Sequence, residues 1–382
     1  MTLKSSRRGG VPPFIVMDVL REANARAARG ESVLHLEVGQ PSTPAPRGVI
    51  AAARRALTED RLGYTEAFGL PALRERIARH YRESYGGGPP ASRIVACTGS
   101  SSGFVLAFLA AFDPGDRVAL AVPGYPAYRN VLSALGIEPV LLEVGPETHF
   151  QPSPEVLDRA QVRLDGLIVA SPANPTGAMI GREGLGRLAQ YCRARGIRLI
   201  SDEIYHGIAY GAAAETAFAF DPEAIVVNSF SKYFSMTGWR LGWMVVPESL
   251  LRAVECLTQN LYISPPTLSQ LAALAVFDCR GELDANVARY AENRRLLLAE
   301  LPKAGFDKLA PADGAFYLYA DVGAMTNDSA EFCRRMLAET GVAATPGADF
   351  DPVRGHRFVR FSFAGATADM AEAARRLIAW RR

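Results

Sequence analysis

The chain has 382 residues, 49% apolar and 21% charged. These are globular proportions, and they exclude disordered, collagen-like and mucin-like chains. Forty-two basic residues against 40 acidic ones leave a net charge of +2, which gives no electrostatic footprint for nucleic acid.

The length suits two or three domains. The five cysteines, Cys97, Cys192, Cys256, Cys279 and Cys333, are odd in number and form no CxxC pair. That argues against a disulfide framework or a zinc module and for a reducing, cytoplasmic home. The longest strictly apolar run, Phe104 to Phe112, has nine residues, whereas a membrane-spanning helix needs about twenty. No membrane segment is expected. Phe14-Ile15-Val16-Met17 is too short for a signal core, so cleavage and export are not expected either.

In chain order, the first sheet signal is Val33 to Val38. Arg93 to Cys97 reads as a strand, Thr98 to Gly103 as a loop, and Phe104 to Phe112 as a buried helix stopped by Asp113-Pro114-Gly115-Asp116. Strands are predicted over Arg117 to Val122, Val140 to Val144, Leu167 to Ala170, Ile197 to Ile200 and Ile225 to Asn228, with helical periodicity over Gly184 to Arg195. This alternation predicts an α/β fold whose central sheet is mostly parallel and covered on both faces. From Asn286 the texture changes to a long amphipathic helix (Asn286 to Leu301), then short strands (Ala315 to Asp321, Arg357 to Phe363) and two more helices. The expected division is a large domain over 48–285 and a smaller α+β domain built from 1–47 and 286–382.

Four strand ends carry polar groups. Ser229-Phe230-Ser231-Lys232 follows the Ile225 strand. The chain has four lysines (Lys4, Lys232, Lys303 and Lys308) among its 42 basic residues, and arginine supplies the rest. Arginine stays protonated and cannot form a Schiff base. A solitary lysine at a strand end is therefore a candidate covalent amine, with an ordinary loop lysine as the competing reading. Asp202-Glu203-Ile204-Tyr205 puts a carboxylate at a second strand end, where a helix N-cap is the plainer alternative. Ser171 to Gly177, containing Asn174-Pro175, follows a third and could be a simple turn. Thr98-Gly99-Ser100-Ser101-Ser102-Gly103 follows a fourth and, before a helix, suits an anion such as phosphate. In open α/β sheets, ligands bind beyond the carboxyl ends of the strands, so the four together predict one site.

Over essentially its whole length the chain resembles the pyridoxal-phosphate-dependent aminotransferases of class I/II, fold type I. The resemblance runs through Gly39-Gln40-Pro41, Gly63-Tyr64, the Thr98 segment, Pro123-Gly124-Tyr125-Pro126, Asn174-Pro175-Thr176-Gly177, Asp202-Glu203-Ile204-Tyr205, Ser229 to Gly242, Gly314-Ala315-Phe316-Tyr317 and Arg360-Phe361-Ser362. It implies a Schiff base between the cofactor and Lys232, Asp202 on the pyridine nitrogen, and Tyr205 and Asn174 on the ring's 3′ oxygen. Tyr125 would stack on the ring. Ser100, Ser101, Ser102, Ser229, Ser231 and Arg240 would cup the phosphate. Tyr64 would reach that phosphate across a homodimer interface. Gly39 and Arg360 would take the substrate carboxylate, and the Pro12-Pro13-Phe14-Ile15 segment falls where relatives place a flap. No metal is implied.

The implied reaction moves the amino group of an L-amino acid, neutral or aromatic for preference, to a 2-oxo acid such as pyruvate or 2-oxoglutarate. A C–S lyase or decarboxylase on the same frame is the alternative. A nicotinamide-dependent oxidoreductase is a weaker competitor. Gly184-Leu185-Gly186-Arg187-Leu188-Ala189 matches G-x-G-x-x-A, but it is separated from the preceding strand and should fall in a helix rather than in a phosphate turn.

Overall fold

A computed structural model describes residues 3–381. Its thirteen strands in chain order are β1 (Leu34–His35), β2 (Ile94–Cys97), β3 (Arg117–Val122), β4 (Glu138–Glu143), β5 (Gly166–Ala170), β6 (Arg198–Asp202), β7 (Ile225–Ser229), β8 (Gly242–Val245), β9 (Lys308–Leu309), β10 (Tyr317–Asp321), β11 (Val342–Ala343), β12 (Thr345–Pro346) and β13 (Phe358–Ser362). The α-helices in the same order are α1 (Ile15–Ala28), α2 (Arg47–Glu59), α3 (Pro71–Tyr85), α4 (Gly99–Ala111), α5 (Pro126–Leu135), α6 (Pro154–Asp158), α7 (Arg182–Ala194), α8 (Glu248–Leu261), α9 (Thr267–Ala273), α10 (Arg280–Glu300), α11 (Ser329–Thr340) and α12 (Thr367–Arg381).

Seven strands form the central sheet in the order β2-β8-β7-β6-β5-β3-β4. The pairs among β3 to β7 are parallel, and β8 runs antiparallel to both its neighbours. Helices cover both faces, so strands such as β2 and β7 are buried throughout and lose the alternation of a half-exposed strand. One face packs on α4, α5 and α8 through Phe104, Phe108, Leu132 and Val254. The other packs on α3, α7 and α9 through Ile77, Leu188 and Ala272. A four-stranded antiparallel sheet, β12-β13-β10-β9, has its own core of Phe306, Phe316, Leu318, Phe361 and Leu377. The β1–β11 parallel pair lies apart from both sheets.

The expected class holds, with four local differences. The Val33–Val38 signal yields only the two-residue β1. Residues Ser100 to Ser102 do not form a loop, because α4 begins at Gly99 and takes them into its first turn. Helix α10 starts at Arg280, six residues before the expected Asn286, with Glu282 in its first turn and an Arg280–Asp284 ion pair at 3.5 Å. Strand β8 is additional; its four residues are all buried and carry no periodic signal. No helix among the described residues is long and apolar enough to cross a membrane.

The antiparallel course of β8 has a consequence for the site. Its first residue, Gly242, pairs with both Cys97 and Ser229, the last residues of β2 and β7. Arg240, just before β8, is thereby delivered to the same sheet edge as the strand C-termini.

Trp243 of β8 anchors the face beneath α3. It is fully buried, 4.9 Å from the Phe230 ring, and its indole N–H donates to Tyr81 Oη at 3.3 Å. Trp243→Ala is expected to cost about 3–5 kcal/mol, read as a lowered denaturant midpoint. An unchanged midpoint would mean that this face does not limit stability.

Candidate active site

The carboxyl edge of the large sheet faces the small sheet, and most of the residues singled out from the sequence meet between them. Lys232, three residues beyond β7, donates from Nζ to the Gly39 carbonyl at 2.6 Å and stands 5.7 Å from the centre of the Tyr205 ring. Burial pushes its amine down to about 8. The positive charges of Arg360 and Arg240 act in the same direction, and Asp202 opposes them.

Asp202 ends β6 almost fully buried. It accepts from the Tyr128 hydroxyl, and from the backbone N–H of Ile204 at 3.1 Å. Burial nevertheless raises its carboxyl to about 6. Tyr205 and Tyr317 share a hydrogen bond between their hydroxyls at 2.6 Å, and their rings meet edge to face. Tyr125 stands edge-on to Tyr128 at 5.3 Å and to Phe14 at 5.7 Å.

Arg360, on β13, is 2% exposed. Nη1 donates to Asn174 Oδ1 at 2.8 Å. Nη2 donates to the Glu37 carbonyl, and to Thr345 Oγ1 at 3.2 Å. The rings of Tyr317 and Phe350 lie 4.4 and 4.7 Å from the guanidinium carbon. Nε is buried without a hydrogen-bond partner among the described residues. Gly39 lies against the same cluster: a Cβ there would fall 1.8 Å from Tyr317 Oη, so the backbone reaches Lys232 only because this residue has no side chain.

A second group forms around the start of α4. Backbone N–H groups of a first helical turn have no intrahelical acceptors, and the helix dipole makes this end attractive to anions. Ser100, Ser101 and Ser102 occupy that turn, and Ser102 Oγ donates back to the Gly99 carbonyl at 3.1 Å. Gly99 has φ +72°, and a Cβ on it would lie 2.5 Å from Arg240 Nη2. Arg240 itself donates from Nη1 to the Thr237 carbonyl at 3.0 Å. Ser229 Oγ donates to Ser231 Oγ at 2.9 Å. The donor set is a helix N-terminus, a guanidinium and hydroxyls, which suits a phosphate. The buried Asp202 carboxylate suits a cationic ring nitrogen, and Lys232 suits a carbonyl carbon. These residues therefore fit pyridoxal phosphate.

Tyr64 stands apart. It is 81% exposed. The G-x-G-x-x-A segment lies wholly within α7, and from Leu185 onward its backbone N–H groups serve the helix rather than a phosphate turn.

Several residues here had no sequence role. Tyr128 follows Tyr125 by three positions, one helical turn, and that spacing was the available signal. Thr345 and Phe350 gave none, since Thr345 acts through its pairing with β13 and Phe350 through a ring contact with Arg360. Behind the site, Glu203 Oε1 accepts from Ala217 N at 2.8 Å and from the Thr216 and Ser201 hydroxyls at 3.1 Å. Burial pushes that carboxyl up to about 8. His206 Nε2 donates to the Ser171 carbonyl at 3.0 Å, which leaves Nδ1 to accept from Tyr85 Oη at 2.6 Å. The contact to Ser171 braces the segment that carries Asn174.

A family model described as aminotransferase class I and II matches residues 31–377. The valine–pyruvate aminotransferase of Mycobacterium tuberculosis is 53% identical over 384 aligned residues, covering 100% of this chain and 99% of that one. A crystal structure of an aminotransferase from the same organism superposes with a TM-score of 0.97 at 53% identity, covering 99% of each chain. Aspartate aminotransferase from Thermus thermophilus with maleate gives a TM-score of 0.93 at 31% identity, covering 99% of this chain and 100% of that one.

The charges around Lys232 make one measurable statement. In the ligand-free protein, acylation of Lys232, followed by mass spectrometry, should rise with pH through a midpoint near 8. Asp202→Asn removes the anion that favours the ammonium form, so the midpoint should move lower. A midpoint near the ordinary lysine value of about 10.4 would show that the amine is not shielded from water.

Proposed function

The chain belongs to the class I and II aminotransferases, and from that premise we propose that it uses pyridoxal phosphate held on Lys232 to move the amino group of a neutral amino acid, valine foremost, to pyruvate. That it is a transaminase, passing an amino group from an amino acid to a 2-oxo acid, follows from the family and its relatives. The family is generally dependent on pyridoxal phosphate; the individual roles below, and the choice of substrates, are our reading.

The observation that carries the reading is the meeting of Lys232, Asp202 and Arg360 near the N-terminus of α4, at the carboxyl edge of the large sheet. Bound there, pyridoxal phosphate would supply an electron sink that makes the amino acid's α-proton labile. Lys232 is the residue we assign to hold its carbonyl carbon. The Lys232 amine would serve as the base that takes the α-proton from the amino acid and as the acid that gives it back during the transfer. An amine already pushed down to about 8 exchanges protons near neutral pH at small cost. Asp202 would hold a proton on the ring nitrogen, with Tyr128 orienting the carboxylate. Tyr205 and Asn174 would donate to the 3′ oxygen, and Tyr125 would cover one ring face. Ser100, Ser101, Ser102, Ser229, Ser231 and Arg240 would bind the phosphate.

Arg360 would take the substrate carboxylate. Its unmatched buried Nε is a donor that such a ligand would satisfy, and Gly39 borders the same space. The rings of Phe14, Tyr125 and Tyr317 around it favour an uncharged side chain. The relative at 53% identity is named for valine and pyruvate. We further propose a cytoplasmic homodimer in which Tyr64 reaches the partner's phosphate group, an inference supported by its exposure. The two sheets, each with its own core, support a domain division at 48 and 286.

The test is single-turnover spectroscopy of the protein supplied with pyridoxal phosphate. L-valine should bleach the visible band and pyruvate should restore it, with L-aspartate and aromatic amino acids slower. Faster bleaching by aspartate would reject the neutral-substrate reading, and release of ammonia or carbon dioxide would move the chemistry to a lyase or decarboxylase. Lys232→Ala should abolish turnover. In Arg360→Ala, loss of a buried charged partner should weaken amino-acid binding by about 2–5 kcal/mol, read as a raised KM with the cofactor band retained. An unchanged KM would remove Arg360 from the carboxylate role.

A further inference from the structure

Helix α1 begins without a cap of its own. Its N-cap residue, Phe14, has no capping side-chain bond, and of the helix's fourteen residues only Val16 and Ala23 are buried. Apolar burial therefore anchors it weakly. Its first two backbone N–H groups, on Ile15 and Val16, donate instead to the two carboxylate oxygens of Asp349, at 3.1 and 3.2 Å. Asp349 lies more than 330 positions away in sequence and is 1% exposed. A carboxylate at that place satisfies two otherwise unpaired donors and complements the helix dipole.

Asp349 is also tied to the site. Its backbone carbonyl accepts from Arg129 Nη2 at 2.6 Å, and Arg129 lies one residue beyond Tyr128 on α5. The next residue, Phe350, accepts at its carbonyl from Gly124 N at 3.0 Å, and its ring lies 4.7 Å from the Arg360 guanidinium carbon. On the other side of the contact, Phe14 immediately precedes α1 and stands 5.7 Å from Tyr125. Asp349 and its neighbour Phe350 thus link the N-terminal segment to both the Tyr125 turn and the surroundings of Arg360.

We propose that Asp349 is a positioning residue that latches the start of α1, so that Phe14 closes the side-chain end of the substrate space against Tyr125. This rests on the substrate site proposed above, with the amino acid's carboxylate at Arg360. The latch sets how tightly the amino acid is held. It does not touch the reacting atoms or the phosphate cup.

The test is Asp349→Asn in the full-length protein loaded with pyridoxal phosphate. The amide keeps the shape, loses the charge and turns one acceptor into a donor facing an N–H. Loss of a cap of this kind should raise the KM for L-valine about five- to thirty-fold. The turnover number should change much less, and the visible cofactor band should be unaltered. Hydrogen exchange of a peptide spanning residues 12–20 should quicken. Phe14→Ala should raise KM without altering the Asp349 contact, and combining the two substitutions should add little, as expected for coupled positions. Unchanged exchange in Asp349→Asn would overturn the latch. Quicker exchange with an unchanged KM, or fully additive effects, would overturn its role in holding substrate. If Asp349→Asn fails to fold, an unchanged KM in Phe14→Ala still refutes the proposal. Failure of the substrate site itself is read separately, from Arg360→Ala, while the exchange result reports on the latch alone.

Discussion

Arg360 carries a full positive charge at a position almost closed to water. An unpaired buried ion costs several kcal/mol even after relaxation, so the guanidinium can sit there only if other groups come to it. Asn174 arrives from the segment after β5. The Glu37 carbonyl arrives from the chain following β1, and Thr345 from β12. Tyr317 of β10 and Phe350 add ring faces. Four stretches far apart in sequence, around Glu37, Asn174, Tyr317 and Thr345 to Phe350, are thereby held to one arrangement that ties the large sheet to the small one. The pairing is left incomplete at Nε. If a carboxylate binds there as proposed, much of the reorganisation that binding would otherwise require has been met during folding.

The same exclusion of water acts in opposite directions on the two titrating groups beside Arg360. Burial disfavours charge, so it lifts Asp202 to about 6 and lowers Lys232 to about 8. Each is partly restored by the other, and Asp202 also by the Tyr128 hydroxyl. Arg360 and Arg240 add positive charge that pushes the lysine further towards its neutral form. A neutral amine is what a nucleophile or base requires, so the cations that suit anionic ligands also prepare the lysine.

Much of this was legible from the residues. Lys232 stood out because arginine serves almost everywhere else, and the strand ends bearing Asp202, Asn174 and Ser229 were readable from apolar runs. The central sheet followed from the same alternation. What was not legible depended on pairing at a distance. Ser100 to Ser102 read as a loop because small polar residues before an apolar run mark a turn as readily as a helix start. Gly242 to Val245 was invisible as a strand, since a short run buried on both faces has no period. Its antiparallel course, which brings Arg240 to the start of α4, could not be deduced without it. Tyr128 was within reach through its spacing from Tyr125. Thr345, Phe350 and Asp349 were not, because nothing local marks a residue whose partners lie on another sheet or at the far end of the chain.

Close backbone approach explains why so much of the site rests on glycine rather than on further polar side chains. At Gly39 a Cβ would meet the Tyr317 hydroxyl, and at Gly99 the Arg240 guanidinium. At Gly242 it would lie 2.8 Å from both the Asn228 carbonyl oxygen and the Ser100 backbone nitrogen. In the first two cases a side chain would have to displace the functional group itself. In the third it would separate β8 from the start of α4. A polar side chain in any of these places could add a donor, but it would push apart the backbone and charged groups that now meet there. Backbone groups fixed by a sheet and a helix end carry little residual freedom, so they lose little entropy when an anion binds. The N-terminal segment differs in kind: Phe14 meets Tyr125 edge to face, and the first two N–H groups of α1 are paired by the side chain of the distant Asp349.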